Sequence, residues 1–516
     1  MRWLSRFDLA TGRSMTLGNL MERVAQAHPK RTLVHEVASG RTLTTNEAAQ
    51  LVDRWALVIS QRSELGDRVV IATVNGYDQL LLTLAASRAG RIPAPVNSQM
   101  TEAEVDHVVT DSGASLVIRS VEDLGSTDEI ASDDDSDTQP GVFGKAVEAD
   151  PRSVAALFYT SGTTGAPKGA ELTHNGLIGG LSIAALAPTE LRDDEIVMAL
   201  PLAHIFGFAI AIGAACAGIP VCFLDRFNPV AVMETISLRR SSIFSGVPAM
   251  YRMMEQAGAE DFDLTCVRCW ISGADAMPAD LAHRFKKRGA TFTLPILGSM
   301  GEAMFAEGYG MVETAGGVAI RISPPLVPAA LGGSVGMPLP GVSFRVLDED
   351  GSEVPIGGVG ELVVKGPGVL TGYHGAPEAT AATITEDGWL RTGDFARRGP
   401  FGIVNFEGRM KDVIKRGGYS VYAVEVEQDL EEHPAVAEAA VVALPHDRDG
   451  EVPVAAIRLA DGAAFDETEL VAWSTERMSR YKVPAHFVVV EDFPRTGTDK
   501  IQRRQVAAQM EALLLG

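Results

Sequence analysis

Tyr159-Thr160-Ser161-Gly162-Thr163-Thr164-Gly165-Ala166-Pro167-Lys168-Gly169-Ala170 is the stretch from which the fold is read. The apolar run 154–159 before it predicts a buried strand, and residues 170–173 after it a short one, with a helix able to start at His174-Asn175. Between the strands sit four hydroxyls (Thr160, Ser161, Thr163, Thr164), the glycines Gly162, Gly165 and Gly169, and Lys168. Glycines let the backbone approach a ligand and aim successive N–H groups at it, hydroxyls add donors, and the lysine adds charge. That combination suits a polyphosphate; a solvated turn of the same composition is the plain alternative. A Walker loop is excluded, because Pro167 stands where its second glycine belongs and no Ser or Thr follows Lys168.

Working outward, apolar spacing predicts helices over 17–26, 45–59, 77–88 and 102–112, with strands at 66–74, 92–96 and 114–118. Strands alternating with helices imply a largely parallel sheet with helices on its faces. Residues 122–150, with Asp133-Asp134-Asp135 and Pro140-Gly141, read as a solvated acidic linker. Residues 196–224 imitate a membrane span, but Pro201, Gly207, Gly213, Gly218 and Pro220 break it into strand, loop, helix (about 206–217) and strand. A helix of about 12 residues reaches only ~18 Å, short of ~30 Å of hydrocarbon.

The 516 residues are 46% hydrophobic with a net charge of −22. The length favours more than one domain, and the charge repels nucleic acid. Four cysteines, with a lone Cys266-Val267-Arg268-Cys269 pair, give neither a disulfide framework nor a structural zinc set. The opening residues 1–8 lack the apolar segment of a signal peptide, so a cytoplasmic chain is expected.

Further stretches follow in order: Pro201-Leu-Ala-His204-Ile-Phe206-Gly207, Ser245-Gly-Val247-Pro-Ala249, and Ile271-Ser-Gly273-Ala274-Asp275-Ala-Met-Pro278. Then come Glu307-Gly308-Tyr309-Gly310-Met311-Val-Glu313-Thr314, Trp389-Leu-Arg-Thr-Gly-Asp394, and Gly408-Arg409-Met-Lys411-Asp-Val-Ile-Lys415. Arg416-Gly417-Gly418-Tyr419 and Pro494-Arg-Thr-Gly-Thr-Asp499-Lys500 close the series. Chemically, Tyr309 offers an aromatic face for adenine, Glu313 a carboxylate for Mg²⁺ and Thr314 a hydroxyl for the α-phosphate; Mg²⁺ needs few protein carboxylates. An Asp394 held on a tight turn can accept both ribose hydroxyls.

With the opening stretch, these motifs resemble those of the adenylate-forming superfamily, in its acyl-CoA synthetase branch, over nearly the whole chain. The resemblance implies an α/β fold: a large N-terminal domain (1–408) of layered α/β sheets with a β-rich subdomain, a hinge at 409–411, and a small mobile α+β C-terminal domain (412–516). It implies ATP, Mg²⁺ and CoA as partners of a small carboxylic acid. Ser161–Gly165 and Lys168 would hold the phosphates, with Thr160 and Glu313 on Mg²⁺. Gly273, Ala274, Asp275, Gly308, Gly310 and Met311 would lie along the nucleotide, while Arg409 contacts ribose or phosphate. His204, Phe206, Gly207, Val247, Gly273 and Gly308 would line the acyl pocket. Lys168, His204 and Lys500 would be catalytic, Lys411 the pivot, and Lys415, Gly417, Gly418 and Tyr419 would meet CoA. In this family a glycine commonly precedes the working lysine, whereas Asp499 stands there here.

The small residues after His204 also leave room for an apolar ligand, and no Asp stands between His204 and Asp225 to grip an α-amine. The expected substrate is therefore a medium- or long-chain fatty acid, made into acyl-AMP and then acyl-CoA. The alternatives are an aryl-CoA ligase and a fatty acyl-AMP ligase that serves a carrier protein. A non-catalytic nucleotide binder would be expected to lack Glu313 or Lys500; both are present.

Overall fold

The computed structural model describes residues 2–11, 14–125, 143–160, 167–187, 189, 193–294, 298–327, 335–417, 419–460, 462–495 and 501–514. The chain forms a mixed α/β fold with a large N-terminal and a small C-terminal domain. By compactness it divides into two units. The first comprises Met1–Leu331, Gly336–Ser343 and Lys365–Leu390; the second comprises Gly332–Val335, Phe344–Val364 and Arg391–Gly516. Most of the expected acidic linker lies outside the described residues.

Among the described residues, the first unit is built on a nine-stranded sheet. Its order is Met337–Pro338, Gly316–Ser323, Met304–Met311, Cys269–Gly273, Ile243–Gly246, Ile196–Met198, Val221–Phe223, Thr32–Glu36 and Thr42–Thr44. The run from Met304–Met311 to Thr32–Glu36 is parallel throughout. Successive side chains of a strand face opposite ways, and both faces here are apolar. Ile196 and Met198 join the larger core while Val197 joins a second core on the other face. That second core centres on an aromatic cluster, with Phe285 edge-on to Tyr251 at 5.0 Å and to Trp270 at 5.1 Å.

The helices begin where the sequence supplies caps. Thr44 accepts from the Glu47 N–H while the Glu47 carboxylate accepts from the Thr44 N–H, opening Thr45–Arg62; Thr101 and Glu104 do the same for Glu102–Ser112. Several strands are shorter than expected: Arg68–Ile71 within 66–74 and Leu116–Ile118 within 114–118. One is longer, because Lys168–Thr173 already starts at the lysine.

That strand pairs antiparallel with Val154–Thr160 and, on its other side, with Gly372–Tyr373. At its end His174 opens the helix His174–Ile178, buried, with Nδ1 accepting from the Leu17 N–H at 3.1 Å. Burial holds this imidazole down to about 4, with Asp150 opposing weakly. A folded value below the unfolded ~6.5 means stability that is present above pH 6.5 and lost as pH falls toward 4. By pH 5 the loss from this one group is about 2 kcal/mol. Urea unfolding of His174→Gln at pH 7 and pH 5 should show a correspondingly smaller acid loss than the parent chain; an identical loss would contradict it.

In the second unit Ser343–Leu347, Val359–Lys365, Leu390–Arg398 and Val404–Arg409 form one sheet. Val413–Arg416, Tyr419–Tyr422, Val436–His446, Gly450–Leu459 and His486–Val489 form another, covered by the helices Ala423–Glu431 and Arg503–Leu514. By compactness the strands from 344 to 364 and from 391 to 409 group with the C-terminal residues.

Candidate active site

In an open parallel sheet, ligands bind beyond the carboxyl ends of the strands. Here four parallel strands run out at one edge into sequence motifs singled out above. Ile196–Met198 leads to Pro201–Gly207 and Ile243–Gly246 to Val247. Cys269–Gly273 leads to Ala274-Asp275, and Met304–Met311 to Glu313-Thr314. The register places Gly273 beside Gly308. A Cβ on Gly273 would come within 3.1 Å of the Phe206 ring and 3.4 Å of the Gly308 carbonyl oxygen, whereas a Cβ on Gly308 would enter open space. Val247 is buried, Asp275 is exposed, and Ala274 holds a left-handed φ of 70° at the turn between sheet and helix. Asp275 accepts from the Ala276 N–H at 2.9 Å.

Two residues assigned to the acyl pocket have structural work that the sequence did not show. His204 caps the helix Ile205–Ala217, its Nδ1 accepting from the Phe206 N–H at 3.2 Å. Gly207 is glycine because any Cβ would collide with the Pro201 carbonyl.

The glycine-rich loop joins two strands rather than a strand and a helix. Thr160 faces Lys168 in the hairpin register. Ser161, Gly162, Thr163, Thr164 and Gly165 lie outside the described residues. Lys168 is exposed, with Nζ 5.6 Å from the centre of the Tyr373 ring. The Tyr373 hydroxyl donates to Glu313 Oε1 at 2.8 Å. Burial, and after it the Glu313 carboxylate, push the Tyr373 phenol up, so it stays a donor. Glu313 occupies the turn Val312–Thr314, which packs against the hairpin. Thr314 is buried, its Oγ1 donating to the Gly316 carbonyl at 2.7 Å and accepting from the Met311 N–H at 3.0 Å. The hydroxyl expected to meet the α-phosphate therefore holds the Glu313 turn closed. Gly308, Tyr309, Gly310 and Met311 are half-buried along the adjoining strand. Burial raises Glu307 beside them, against the pull of its partner Arg321.

Tyr373 was missed in the sequence. Gly372-Tyr373 fits none of the motifs quoted, and its partner Glu313 is 60 positions away. A pair this short, between Thr371 and His374, carries no local signal of what it will touch.

In the second unit Asp394 lies in the strand Leu390–Arg398, directly opposite Arg409 in the register. This corrects the expectation of a tight turn: the aspartate is buried in a strand and Arg409 Nε reaches its Oδ1 at 3.3 Å. Lys411 is exposed in the turn Met410–Asp412. Lys415 and Tyr419 flank the turn of a hairpin at Gly417, whose φ is 56°. Both side chains are exposed, and Tyr419 stacks on Tyr481 with ring centres 4.7 Å apart. Gly418, Asp499 and Lys500 lie outside the described residues.

The profile of the AMP-binding enzymes matches residues 21–374. The chain belongs to the AMP-binding enzyme family. The C-terminal domain of AMP-binding enzymes matches in turn over residues 425–500. This AMP-binding enzyme is 34% identical over 512 residues to a feruloyl-CoA synthase of Amycolatopsis sp, covering 96% of this chain and 99% of the relative. It is 28% identical to the long-chain-fatty-acid–CoA ligase FadD13 of Mycobacterium tuberculosis, over 96% of this chain and 99% of that one. A solved structure of O-succinylbenzoate coenzyme A synthetase from Bacillus subtilis, in complex with ATP and magnesium ion, superposes with a TM-score of 0.76 at 26% identity. It covers 94% of this chain and 98% of that one. The AMP-binding enzyme is an adenylate-forming acid–CoA ligase, with ATP and CoA as substrates. Among its described residues no helix is long and apolar enough to cross a membrane.

Proposed function

We propose that this ligase activates a planar aromatic acid of the phenylpropenoic kind and transfers its acyl group to CoA. The observation that carries this reading is the glycine-faced slot: Gly273 and Gly308 side by side, the Phe206 ring on one and open space on the other. A flat ring can lie where only hydrogens project from the backbone. Several residues of Ile205–Ala217, by contrast, are spent on close packing, while Ala209 and Gly213 stay half-buried. Gly207 abuts Pro201, Phe208 meets Phe158 edge-on at 5.3 Å, and Ala211, Ala214 and Ala215 are buried. The room on which the long-chain expectation rested is thereby reduced. The likeness to a feruloyl-CoA synthase supports the aromatic reading. The likeness to FadD13, together with the apolar helix, supports a fatty acid as the second.

In the first half-reaction a carboxylate oxygen attacks the α-phosphorus of ATP and pyrophosphate leaves; in the second the CoA thiolate attacks the acyl carbon and AMP leaves. Lys168 and the loop Ser161–Gly165 are assigned to the phosphates, Tyr309 to adenine, and Asp394 with Arg409 to the ribose. Lys500 is assigned to the first half-reaction, and Lys415, Gly417, Gly418 and Tyr419 to the second. Glu313 and Thr160 fit a Mg²⁺ site. The carboxylate is half-buried, it accepts from the neutral Tyr373 hydroxyl, and among the described residues no cationic side chain pairs with it. Bound there with the nucleotide, Mg²⁺ would offset phosphate charge.

AMP release with a hydroxycinnamic acid and with straight-chain acids of graded length tests the substrate. The expected kcat/KM for the aromatic acid exceeds that for octanoate by at least about tenfold, the discrimination a pocket of fitted shape supplies. A higher value for octanoate or longer acids would overturn the slot.

A further inference from the structure

Tyr373 stands between the two charged groups on which nucleotide binding is proposed to depend. Its backbone is fixed from both sides. The Tyr373 and Gly372 positions pair with Ala170 and Glu171, on the strand that begins at Lys168. Leu370, three residues earlier, donates its N–H to the Glu313 carbonyl at 2.9 Å, and His374 donates its N–H to the Gly169 carbonyl at 2.8 Å. The Tyr373 N–H is itself held by Thr380 Oγ1 at 2.9 Å. This short strand therefore ties the lysine's strand to the glutamate's turn, and Tyr373 fills the space they share.

The side chain meets both charges differently. Its hydroxyl donates to Glu313 Oε1 at 2.8 Å, and its ring lies 5.6 Å from Lys168 Nζ, within cation–π range. Among the described residues no ion pair joins Lys168 to Glu313. A direct pair would cancel the charges that a phosphate and a cation need. A phenol orients the carboxylate without neutralising it, and a ring face steers the ammonium without taking a proton from it.

We propose that Tyr373 is a positioning residue that orients the Glu313 carboxylate toward a nucleotide-bound divalent cation and holds Lys168 apart from it. This rests on the reading of Glu313 as the metal ligand given above. Residues that orient metal ligands are typically worth 10–100-fold in metal affinity. Tyr373→Phe keeps the ring and removes only the hydroxyl, which meets the Thr383 side chain as well as Glu313, so the double variant isolates the part that passes through Glu313.

The test is equilibrium binding of Mn²⁺·ATP, followed by the Mn²⁺ EPR signal, to the parent chain, Tyr373→Phe, Glu313→Gln and the double variant. ATP binding in EDTA is measured alongside. Tyr373→Phe should weaken Mn²⁺·ATP about tenfold and leave metal-free ATP binding within about twofold, and it should add nothing in the Glu313→Gln background. If Glu313→Gln weakens Mn²⁺·ATP but Tyr373→Phe does not, or if the Tyr373→Phe loss persists in full in the double variant, the positioning role is overturned. If Glu313→Gln itself binds Mn²⁺·ATP like the parent, the metal-ligand reading beneath it fails instead.

Discussion

Glu313→Ala is expected to lower acid-dependent pyrophosphate release by about 10²–10³-fold, the usual cost of removing a preorganised charge contact at a transferring phosphoryl group. The fold should survive the change. The turn Val312–Thr314 is closed by the Thr314 hydroxyl and by the Leu370 N–H bonded to the Glu313 carbonyl, and neither needs the carboxylate. The Tyr373 hydroxyl that loses its acceptor belongs to a half-buried residue, so the change in stability should stay within about 1 kcal/mol. Pyrophosphate release and thermal unfolding of the same preparation check both parts. A folded variant with parental pyrophosphate release would remove Glu313 from the reaction.

Lys500→Ala and Gly418→Leu are expected to fail in opposite halves of the reaction. Lys500 follows Pro494-Arg-Thr-Gly-Thr-Asp499 and is assigned in this proposal to the carboxylate and α-phosphate as they join. Without it, pyrophosphate release in the absence of CoA should fall by about 10²–10³-fold. Gly418 follows Gly417, whose φ is positive, between the paired residues Arg416 and Tyr419. A leucine there adds bulk to a loop assigned to close backbone approach by CoA. That variant should keep parental pyrophosphate release without CoA and lose thioester formation.

The sheet was legible because burial on two faces leaves a local mark. Ile196-Val197-Met198 and Phe244 have to be apolar when both sides of a parallel strand are covered. The helices Tyr77–Arg88 and Glu102–Ser112 fell where spacing put them, since spacing is also local. The motifs that follow the parallel strands were legible as short stretches, and the parallel register explains why Gly273 and Gly308, distant in sequence, are neighbours. What stayed hidden were contacts whose partner lies far along the chain. Tyr373 reaches Glu313 only because a two-residue strand adds itself to the Lys168 strand. Asp394 read as a turn residue because Thr392-Gly393-Asp394 has turn chemistry, yet pairing with Val404–Arg409 draws it into a sheet. Gly207 read as room for a ligand until the Pro201 carbonyl was found to occupy that room.

The central claim is that the acid is activated as an adenylate in one half-reaction and handed to CoA in another. The measurement that tests it most directly is thioester formation by Lys500→Ala when synthetic acyl-adenylate and CoA are supplied in place of acid and ATP. The account predicts conversion at close to the parental rate by a variant that has lost pyrophosphate release. A variant that remains folded yet converts supplied adenylate as poorly as it makes its own would contradict it.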